Sequence, residues 1–227
     1  MVSLTISCIE SKGIDKTEDA RKMNISETSA DCESAPKSPF RFKADFLRTY
    51  ELTKGNVIKR IIACYRSPGL HAVAVYRFGH WVKKQNLFLR IFFEPLYMIL
   101  FHRIRSKWGI EISRATQIGS GLYIGHPGGI TISGLAKIGN NVSISQLVTI
   151  GISGKGKNRG VPVIGNNVYI APGAKIFGKI QVGSNVKIGA NAVVHKDIPD
   201  DVVVVLDPGF RIISYRDKCG DSETLIG

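Results

Sequence analysis

The sequence predicts a parallel β-helix that follows an α-helical region, and two patterns support this prediction. First, Ile or Val recurs every six residues from Ile112 to Val194, apart from a slip of two residues before Ile132 and a step of fourteen residues before Ile164. Second, glycine often follows the recurring residue. A short period of this kind is typical of a solenoid, in which each hexapeptide forms one strand and one corner. β-branched residues suit the buried side of such strands, and three hexapeptides per coil give about five coils.

The region before the β-helix has the apolar spacing of α-helices. A first helical stretch ends before Ser67-Pro68, a second helix begins there, and a third runs through Leu87–Phe101, where Pro95 is expected to produce a kink. The polar residues at the start of the chain have no apolar period, which predicts disorder. The predicted domains are a disordered tail at 1–38, an α-helical domain at 39–110, the β-helix at 111–205 with an extended loop at 151–163, and a C-terminal segment at 206–227.

Positive charge is concentrated in the α-helical domain. The chain has a net charge of +13, and residues 39–110 hold fourteen basic and three acidic side chains, a net +11. The third helix is the most apolar segment, but Arg90, Glu94 and Pro95 interrupt it, so we do not expect it to span a bilayer. Two interpretations stay open: the helix packs against its neighbours, or part of its basic surface rests on anionic lipid or a lipid-linked substrate. Nucleic acid is not an expected partner, because no binding motif accompanies the charge.

The cysteines predict a reducing environment. Four cysteines lie far apart, without a Cys-x-x-Cys pair and without histidines at ligand spacing. This pattern argues against a zinc site and against a disulfide framework, so no metal is expected. The first 40 residues do not have the apolar stretch of a signal peptide. We therefore expect a cytoplasmic protein, with contact at the inner face of the membrane as a further option.

Two interruptions of the six-residue period mark the candidate site. The first is the slip at Gly125–Ile130, which contains His126, and the second is the long step that gives the extended loop eight additional residues. Insertions in a repeat scaffold commonly form the binding site. A histidine beside glycines, near a basic and glycine-rich loop, suggests a general base next to a pocket that tolerates anions.

Five segments together resemble one known family. They are Tyr65–Ala72, Tyr76–Trp81, Gly125–Ile132, Ser143–Gly151 and Lys196–Pro199. Over roughly residues 58–213, the chain resembles the serine acetyltransferase family of hexapeptide-repeat acyltransferases. The resemblance implies a left-handed β-helix, a homotrimer and acetyl-CoA as the acetyl donor. The hand of the helix comes from the resemblance alone, because the six-residue period does not reveal it.

The resemblance also implies site residues. His126 falls on the family's catalytic base, and Glu111, fifteen positions earlier, falls on the acidic residue that orients this histidine. In the alternative interpretations, His126 is a turn residue without a role and Glu111 is a solvated charge. The family binds acetyl-CoA largely through backbone groups, with basic groups for the phosphates. The matching positions are Gly151, Gly154, Ala171, Ala190, Lys196 and Arg211.

Three departures from the family pattern bear on the acceptor. Gly125 stands where the family has Asp, Gly134 stands where it has Glu, and the extended loop has no second histidine. A pocket for an amino acid needs partners for an ammonium and a carboxylate. The loop segment from Arg159 to Pro162 instead resembles relatives that acetylate surface polysaccharides, which makes Arg159 a candidate contact for an acidic sugar.

The sequence therefore predicts an acetyl-CoA-dependent O-acetyltransferase that modifies a hydroxyl of a saccharide, in a capsular or other surface polysaccharide. One alternative is a serine O-acetyltransferase of cysteine biosynthesis. The other is an inactive β-helix that organises biosynthetic partners at the membrane.

Overall fold

Four helices precede the strands in this computed structural model, which describes residues 41–156, 159–206 and 211–214. For Arg41 and residues 211–214 the backbone alone is described. The predicted disordered tail at 1–38 and most of the predicted C-terminal segment lie outside these ranges. The helices are α1 (Arg41–Leu52), α2 (Val57–Arg66), α3 (Pro68–Lys83) and α4 (Leu87–Trp108).

Local sequence explains where these helices begin and end. Ser67 ends α2 and starts α3, where its Oγ accepts a hydrogen bond from the Leu70 N–H at 3.3 Å. Gly109 ends α4 with a φ of +60°, a conformation that favours glycine. The first predicted helical stretch is two helices, because Gly55 has a φ of +125° between α1 and α2 and a helix cannot continue through it. Pro95 lies inside the continuous helix α4.

Fifteen short strands follow within the described residues. They are β1 (Ile110–Ile112), β2 (Gln117–Ile118), β3 (Tyr123–Ile124), β4 (Ile130–Ile132), β5 (Lys137–Ile138), β6 (Ser143–Ile144), β7 (Thr149–Gly151), β8 (Val163–Ile164), β9 (Tyr169–Ile170), β10 (Lys175–Phe177), β11 (Gln181–Val182), β12 (Lys187–Ile188), β13 (Val193–Val194), β14 (Val202–Val205) and β15 (Arg211–Ser214).

The strands form three sheets, one for each side of the coil. Their orders are β1-β4-β7-β10-β13, β2-β5-β8-β11 and β3-β6-β9-β12-β14-β15. Neighbouring strands are parallel, except that β15 runs antiparallel to β14. The recurring apolar residues are paired across neighbouring coils, as in Ile132 with Ile150 and Ile150 with Ile176. The predicted fold class, a parallel β-helix of about five coils with an α-helical N-terminal region, is confirmed.

Neither interruption of the period disturbs the register. The slip falls between β3 and β4, and the additional residues fall between β7 and β8. Beyond them, Ile132 still pairs with Ile150 and Ile138 still pairs with Ile164. The extra residues therefore bulge outwards while the buried stack continues.

A buried polar junction attaches the helices to the first coil. Asp45 on α1 has no solvent exposure, and its carboxylate accepts hydrogen bonds from Arg77 Nε at 2.8 Å and from the Leu122 N–H at 2.8 Å. Arg77 also donates to the Ile118 carbonyl at 2.9 Å. Gly69 on α3 lies so close to β3 that a Cβ there would be 2.2 Å from the Ile124 carbonyl oxygen. These contacts fix α1 and α3 on the end of the β-helix.

No helix in the described ranges is long and apolar enough to cross a lipid bilayer.

Candidate functional site

His126 lies in the turn between β3 and β4, and its side chain is exposed. The turn contains Gly128 with a φ of +110° and Gly129 with a φ of +62°. These values favour glycine, so the two glycines explain how the extra residues fit a tight turn. The turn is anchored to the next coil, where the Leu147 N–H donates to the Gly128 carbonyl at 2.7 Å. The turn is rich in glycine, but this hydrogen bond holds its backbone in place. The exposed imidazole of His126 projects from this anchored backbone.

Glu111 is the middle residue of β1 and points outwards, since both of its neighbours in the strand are buried. It pairs with Thr131 of β4, the strand that the His126 turn enters. The Ile130 N–H donates to the Gly109 carbonyl at 3.0 Å, which holds the end of that turn beside the start of β1. The structure therefore brings Glu111 and His126 to adjacent elements on the outer surface of the first two coils.

The two predicted catalytic side chains are not hydrogen-bonded to each other. In the described part of the chain, neither the His126 ring nor the Glu111 carboxylate has a hydrogen bond or an ion pair. Catalytic hydrogen bonds are often long or absent before substrate binds, so their roles stay predictions. Within residues 41–156 and 159–206, no three side chains of the metal-ligating types come together.

Gln146 is a candidate site residue that the sequence analysis missed. Strands β3 and β6 are paired, with Ile124 opposite Ile144, and both His126 and Gln146 stand two residues beyond these positions. Gln146 therefore lies at the same corner as His126, one coil further on. Its side-chain Oε1 is buried and has no hydrogen-bond partner among the described residues. A buried polar atom without a partner is costly, and a ligand with a donor would satisfy it. The equal spacing from the two isoleucines was a signal that could have identified it.

The extended loop folds back on itself. Ser153 and Gly160 exchange two backbone hydrogen bonds, at 3.1 and 3.0 Å. Gly160 packs so closely on Lys179 that a Cβ would lie 2.5 Å from the lysine Cβ. Gly154, with a φ of +93°, begins the outer part of the loop, and Arg159 on the returning arm is exposed. The loop is therefore fixed at its base, and Arg159 stands where a ligand could reach it.

Four of the six residues predicted to contact acetyl-CoA fall at two corners of the β-helix, while Gly154 lies in the extended loop and Arg211 on β15. Gly151 ends β7, and Lys196 follows β13 of the same sheet and is exposed. Ala171 and Ala190 follow β9 and β12, at the corner that also holds His126. Ala171 is buried, and its N–H donates to the Ile188 carbonyl at 2.9 Å. Arg211 begins β15, and its side chain lies outside the described atoms. These contacts stay predictions.

Two of the departures from the family pattern differ in the space around them. A Cβ at Gly125 would meet nothing closer than 3.5 Å, the ordinary distance to the Tyr123 ring. A Cβ at Gly134 would lie 2.7 Å from Ser113 Oγ and 3.3 Å from the Ala115 Cβ. A glutamate at position 134 would therefore require the Ser113 hydroxyl to rotate away and its neighbours to shift slightly, whereas a side chain at position 125 would not.

Comparison with known proteins identifies similar chains along most of this sequence. Residues 162–196 match the family described as bacterial transferase hexapeptide (six repeats). A serine acetyltransferase of Synechococcus elongatus is 38% identical over 156 residues, 69% of this chain and 60% of the relative. One from Helicobacter pylori is 42% identical over 132 residues, 58% of this chain and 74% of the relative. The crystal structure of serine acetyltransferase from Brucella abortus has a TM-score of 0.65 at 30% identity, covering 83% of this chain and 74% of that one.

These relatives agree with the predicted O-acetyltransferase class and contradict the predicted acceptor. The saccharide acceptor, and with it the resemblance to polysaccharide acetyltransferases, is wrong: the similar proteins are named serine acetyltransferases. The prediction relied on the three departures from the family pattern, and these are few compared with the 132 residues over which the chain aligns with the Helicobacter relative. In addition, the guanidinium of Arg159 can bind any carboxylate, so the loop sequence could not distinguish an acidic sugar from an amino acid. This chain spans 60% of the length of the Synechococcus relative.

Proposed function

We propose that this chain, which belongs to the serine acetyltransferase family, transfers the acetyl group of acetyl-CoA to the side-chain hydroxyl of L-serine. The observation that carries the proposal is the similarity to proteins of that name, 42% identical over 74% of the Helicobacter relative. The exposed imidazole at the first interruption of the β-helix supports it. Acetyl-CoA supplies the activated thioester, and the chain's own residues orient the acceptor and move its proton.

His126 is the proposed general base. One unprotonated ring nitrogen removes the hydroxyl proton as the serine oxygen attacks the thioester carbonyl carbon of acetyl-CoA. The same nitrogen then gives this proton to the departing sulfur of CoA. The exposed position suits this role, because the acceptor must reach the ring. The anchored turn also suits it, because general bases act over hydrogen-bonding distances of about 2.6–3.2 Å.

Glu111 is the proposed positioning residue. On the strand beside the His126 turn, its carboxylate could accept a hydrogen bond from the other ring nitrogen and stabilise the positively charged imidazole. Glu111→Gln is then expected to lower kcat more than it raises KM. If Glu111 were merely a solvated charge, Glu111→Gln would leave both kcat and KM unchanged.

Gln146 and Arg159 are the proposed acceptor contacts. The guanidinium of Arg159 can bind the serine carboxylate in a bidentate manner, and the unpartnered Gln146 Oε1 can accept a hydrogen bond from the serine ammonium. These two residues would replace groups that the family supplies at the positions of Gly125, Gly134 and the second histidine. Gln146→Leu, which keeps the volume, is expected to raise the KM for serine and leave the KM for acetyl-CoA unchanged.

Acetyl-CoA binding and assembly complete the proposal. Gly151, Gly154, Ala171, Ala190, Lys196 and Arg211 stay the predicted contacts for acetyl-CoA. Because the Ala171 N–H is used within the β-helix, this residue could contribute only its other atoms. A homotrimer, with acetyl-CoA between neighbouring β-helices, and a cytoplasmic location also stay predictions. Analytical ultracentrifugation of the full chain tests the trimer.

The direct test measures thiol release from acetyl-CoA. The purified full chain should release free thiol with L-serine and not with L-alanine, which has no hydroxyl. His126→Ala is expected to lower kcat by about 10²–10⁴-fold, while His102→Ala, at an exposed histidine on α4, serves as the control and leaves kcat unchanged. A folded protein that gives no serine-dependent release would contradict the proposed acceptor. Serine-dependent release that survives His126→Ala would contradict the proposed base.

A further inference from the structure

Helix α4 presents an apolar face to solvent. Phe88 is 79% exposed, Ile91 66% and Phe92 70%. At 100° per residue these side chains share one half of the helix with four other exposed apolar residues. We call this set the α4 face: Leu87, Phe88, Ile91, Phe92, Leu96, Met98 and Ile99. Large contiguous apolar patches on a protein surface mark interaction sites.

Basic side chains surround the α4 face. Lys83 and Lys84 precede the helix, and Arg103, Arg105 and Lys107 follow the face in its last turns; all five are exposed. Each is a long cation that can keep its charge in a polar headgroup layer while its methylene groups lie on apolar surface. An apolar strip between cations is the composition of helices that lie in a membrane surface.

The acidic residues nearby do not offset this charge. Glu94 is the one carboxylate on α4, and its Oε1 lies 2.7 Å from Arg114 Nη1 on the β-helix. Asp45 is fully buried against Arg77. Among residues 39–110, with a net +11, this leaves Glu51 as the exposed acid outside such pairs. The surface around the α4 face is therefore strongly positive.

A small apolar cavity lies beside the basic end of α4. It measures about 290 Å³, and its lining includes Val75, Leu100, Ile104 and Trp108, with Arg103 and Lys107 also contributing. An apolar recess bordered by two cations fits a hydrocarbon chain whose anionic headgroup stays at the surface. The cavity thus favours the same kind of partner as the helix.

We propose that the α4 face docks on the surface of an anionic lipid bilayer. Charge favours this partner over a second copy packed with its own α4 face against the first. A second copy would bring another positive domain against the first, and juxtaposed like charges are costly. Anionic lipid neutralises the same charge, at a gain of about 1 kcal/mol per Lys or Arg near the surface. Docking would hold the helical region on the membrane and leave the His126 corner on the β-helix free to bind small substrates.

Vesicle co-sedimentation of the full chain tests this proposal. Vesicles of phosphatidylcholine with phosphatidylglycerol should bind the protein at low salt, and vesicles of phosphatidylcholine alone should not. Phe88→Ser is expected to lower the partition coefficient by about tenfold or more, because it removes one inserted ring. Leu135→Ser is the matched control, since Leu135 is an apolar residue, 68% exposed, on the β-helix. Arg105→Gln should lower the partition coefficient by about fivefold.

Three results would overturn the proposal. The first is wild-type protein that stays in the supernatant with the anionic vesicles. The second is an equal loss of binding in Phe88→Ser and Leu135→Ser. The third is a Phe88→Ser variant that, without lipid, sediments as a smaller assembly than the wild type, which would assign the α4 face to contacts between copies. Thermal unfolding of each variant confirms that the protein is folded.

Discussion

In the β-helix, the thirteen residues at the six-residue period are at most 4% exposed, whereas most large apolar side chains of α2 and of the outer half of α4 are more than half exposed. Both regions are rich in the same residue types. The difference lies in where each side chain finds its partner. A residue of the β-helix packs on its equivalent one coil away, within the same chain. The helices have more apolar surface than α3 and the first coil can cover, and the remainder faces outwards.

Helix α2 makes this contrast clearest. An amphipathic helix usually turns its apolar stripe to the core. Here Ile58, Ile61, Ile62 and Tyr65 are exposed, while Cys64 on the other side is buried. Hydrophobicity therefore marks the interior in one region of this molecule and an exposed surface in the other.

The largest loss of stability is expected from a substitution at the junction between the α-helices and the β-helix. Asp45→Ala leaves the Arg77 guanidinium without its counter-charge and the Leu122 N–H without its acceptor, at a cost of about 3–5 kcal/mol in the free energy of unfolding. Urea unfolding, followed by circular dichroism and by tryptophan fluorescence, measures this loss. Both tryptophans lie in the helical region, so fluorescence reports on that region. If the junction holds the regions together, the fluorescence and circular dichroism transitions of Asp45→Ala should have different urea midpoints. Glu51→Ala, at an exposed carboxylate on α1, is the control, and equal losses in the two variants would refute the expectation.

The next effect compares one isoleucine from each region. Ile150 is fully buried between Ile132 and Ile176, so Ile150→Ala should lower the free energy of unfolding by about 2–5 kcal/mol. Ile91 on the α4 face is exposed, so Ile91→Ala should change it by at most about 0.5 kcal/mol. Urea midpoints of the two variants give the comparison. A large loss for Ile91→Ala would show that α4 is covered in solution.

A smaller effect is expected at two glycines of the β-helix. In Gly134→Ala the new methyl group crowds Ser113 and Ala115, which should cost about 1–3 kcal/mol. In Gly125→Ala the methyl group has ordinary space, and the reduced freedom of the unfolded chain should make the change neutral or stabilising by about 0.4–1 kcal/mol. Thermal unfolding measures both. Equal destabilisation would mean that the turn before His126 is as tightly packed as the coil.

The smallest effect is the pH dependence of the stability that the Glu94–Arg114 ion pair contributes. The hydrogen bond from Arg114, with its charge, holds the pKa of Glu94 below its usual value. Because the pKa is lower in the folded protein, the stabilisation is fully present above the ordinary value of 4.5 and is lost as pH falls through the lowered value. The pair is partly exposed, so we expect less than about 1 kcal/mol. Urea midpoints of the wild type and Glu94→Gln should differ at neutral pH and converge in acid; a constant difference would assign the effect to packing.

The β-helix could be predicted from sequence because its contacts repeat. The period from Ile112 to Val194 specifies the stacking that the structure shows, and the slip located the turn that carries His126. The break between α1 and α2 could not be read from the apolar spacing, because it depends on the left-handed backbone of Gly55. The exposure of the apolar face of α2 could not be predicted either. A helical period shows which residues share a face, but it does not show whether that face contacts the core or solvent.

The candidate site was only partly predictable for a similar reason. His126 and Glu111 have recognisable types and spacing, whereas Gln146 becomes a candidate only through its place one coil beyond His126. The predicted acceptor was wrong because the evidence for it, three departures from the family pattern and Arg159, is compatible with any partner that has a carboxylate and does not identify that partner. Contacts made by the backbone, such as those proposed at Gly151 and Ala190, leave little trace in side-chain sequence.

The antiparallel strand β15 has a consequence for assembly. A β-helix that simply stopped would offer its last coil as a template on which another chain could continue the parallel ladder and grow a filament. Here β15 covers the last strand of its sheet in the opposite direction, with Val203 paired to Ile213 and Val205 to Arg211. At the other end, Tyr76 of α3 packs on the first coil and donates a hydrogen bond to the Thr116 carbonyl at 2.7 Å. Strand β15 thus shields the last edge of its sheet and α3 covers the first coil, so neither place offers a free edge on which a further chain could continue the ladder.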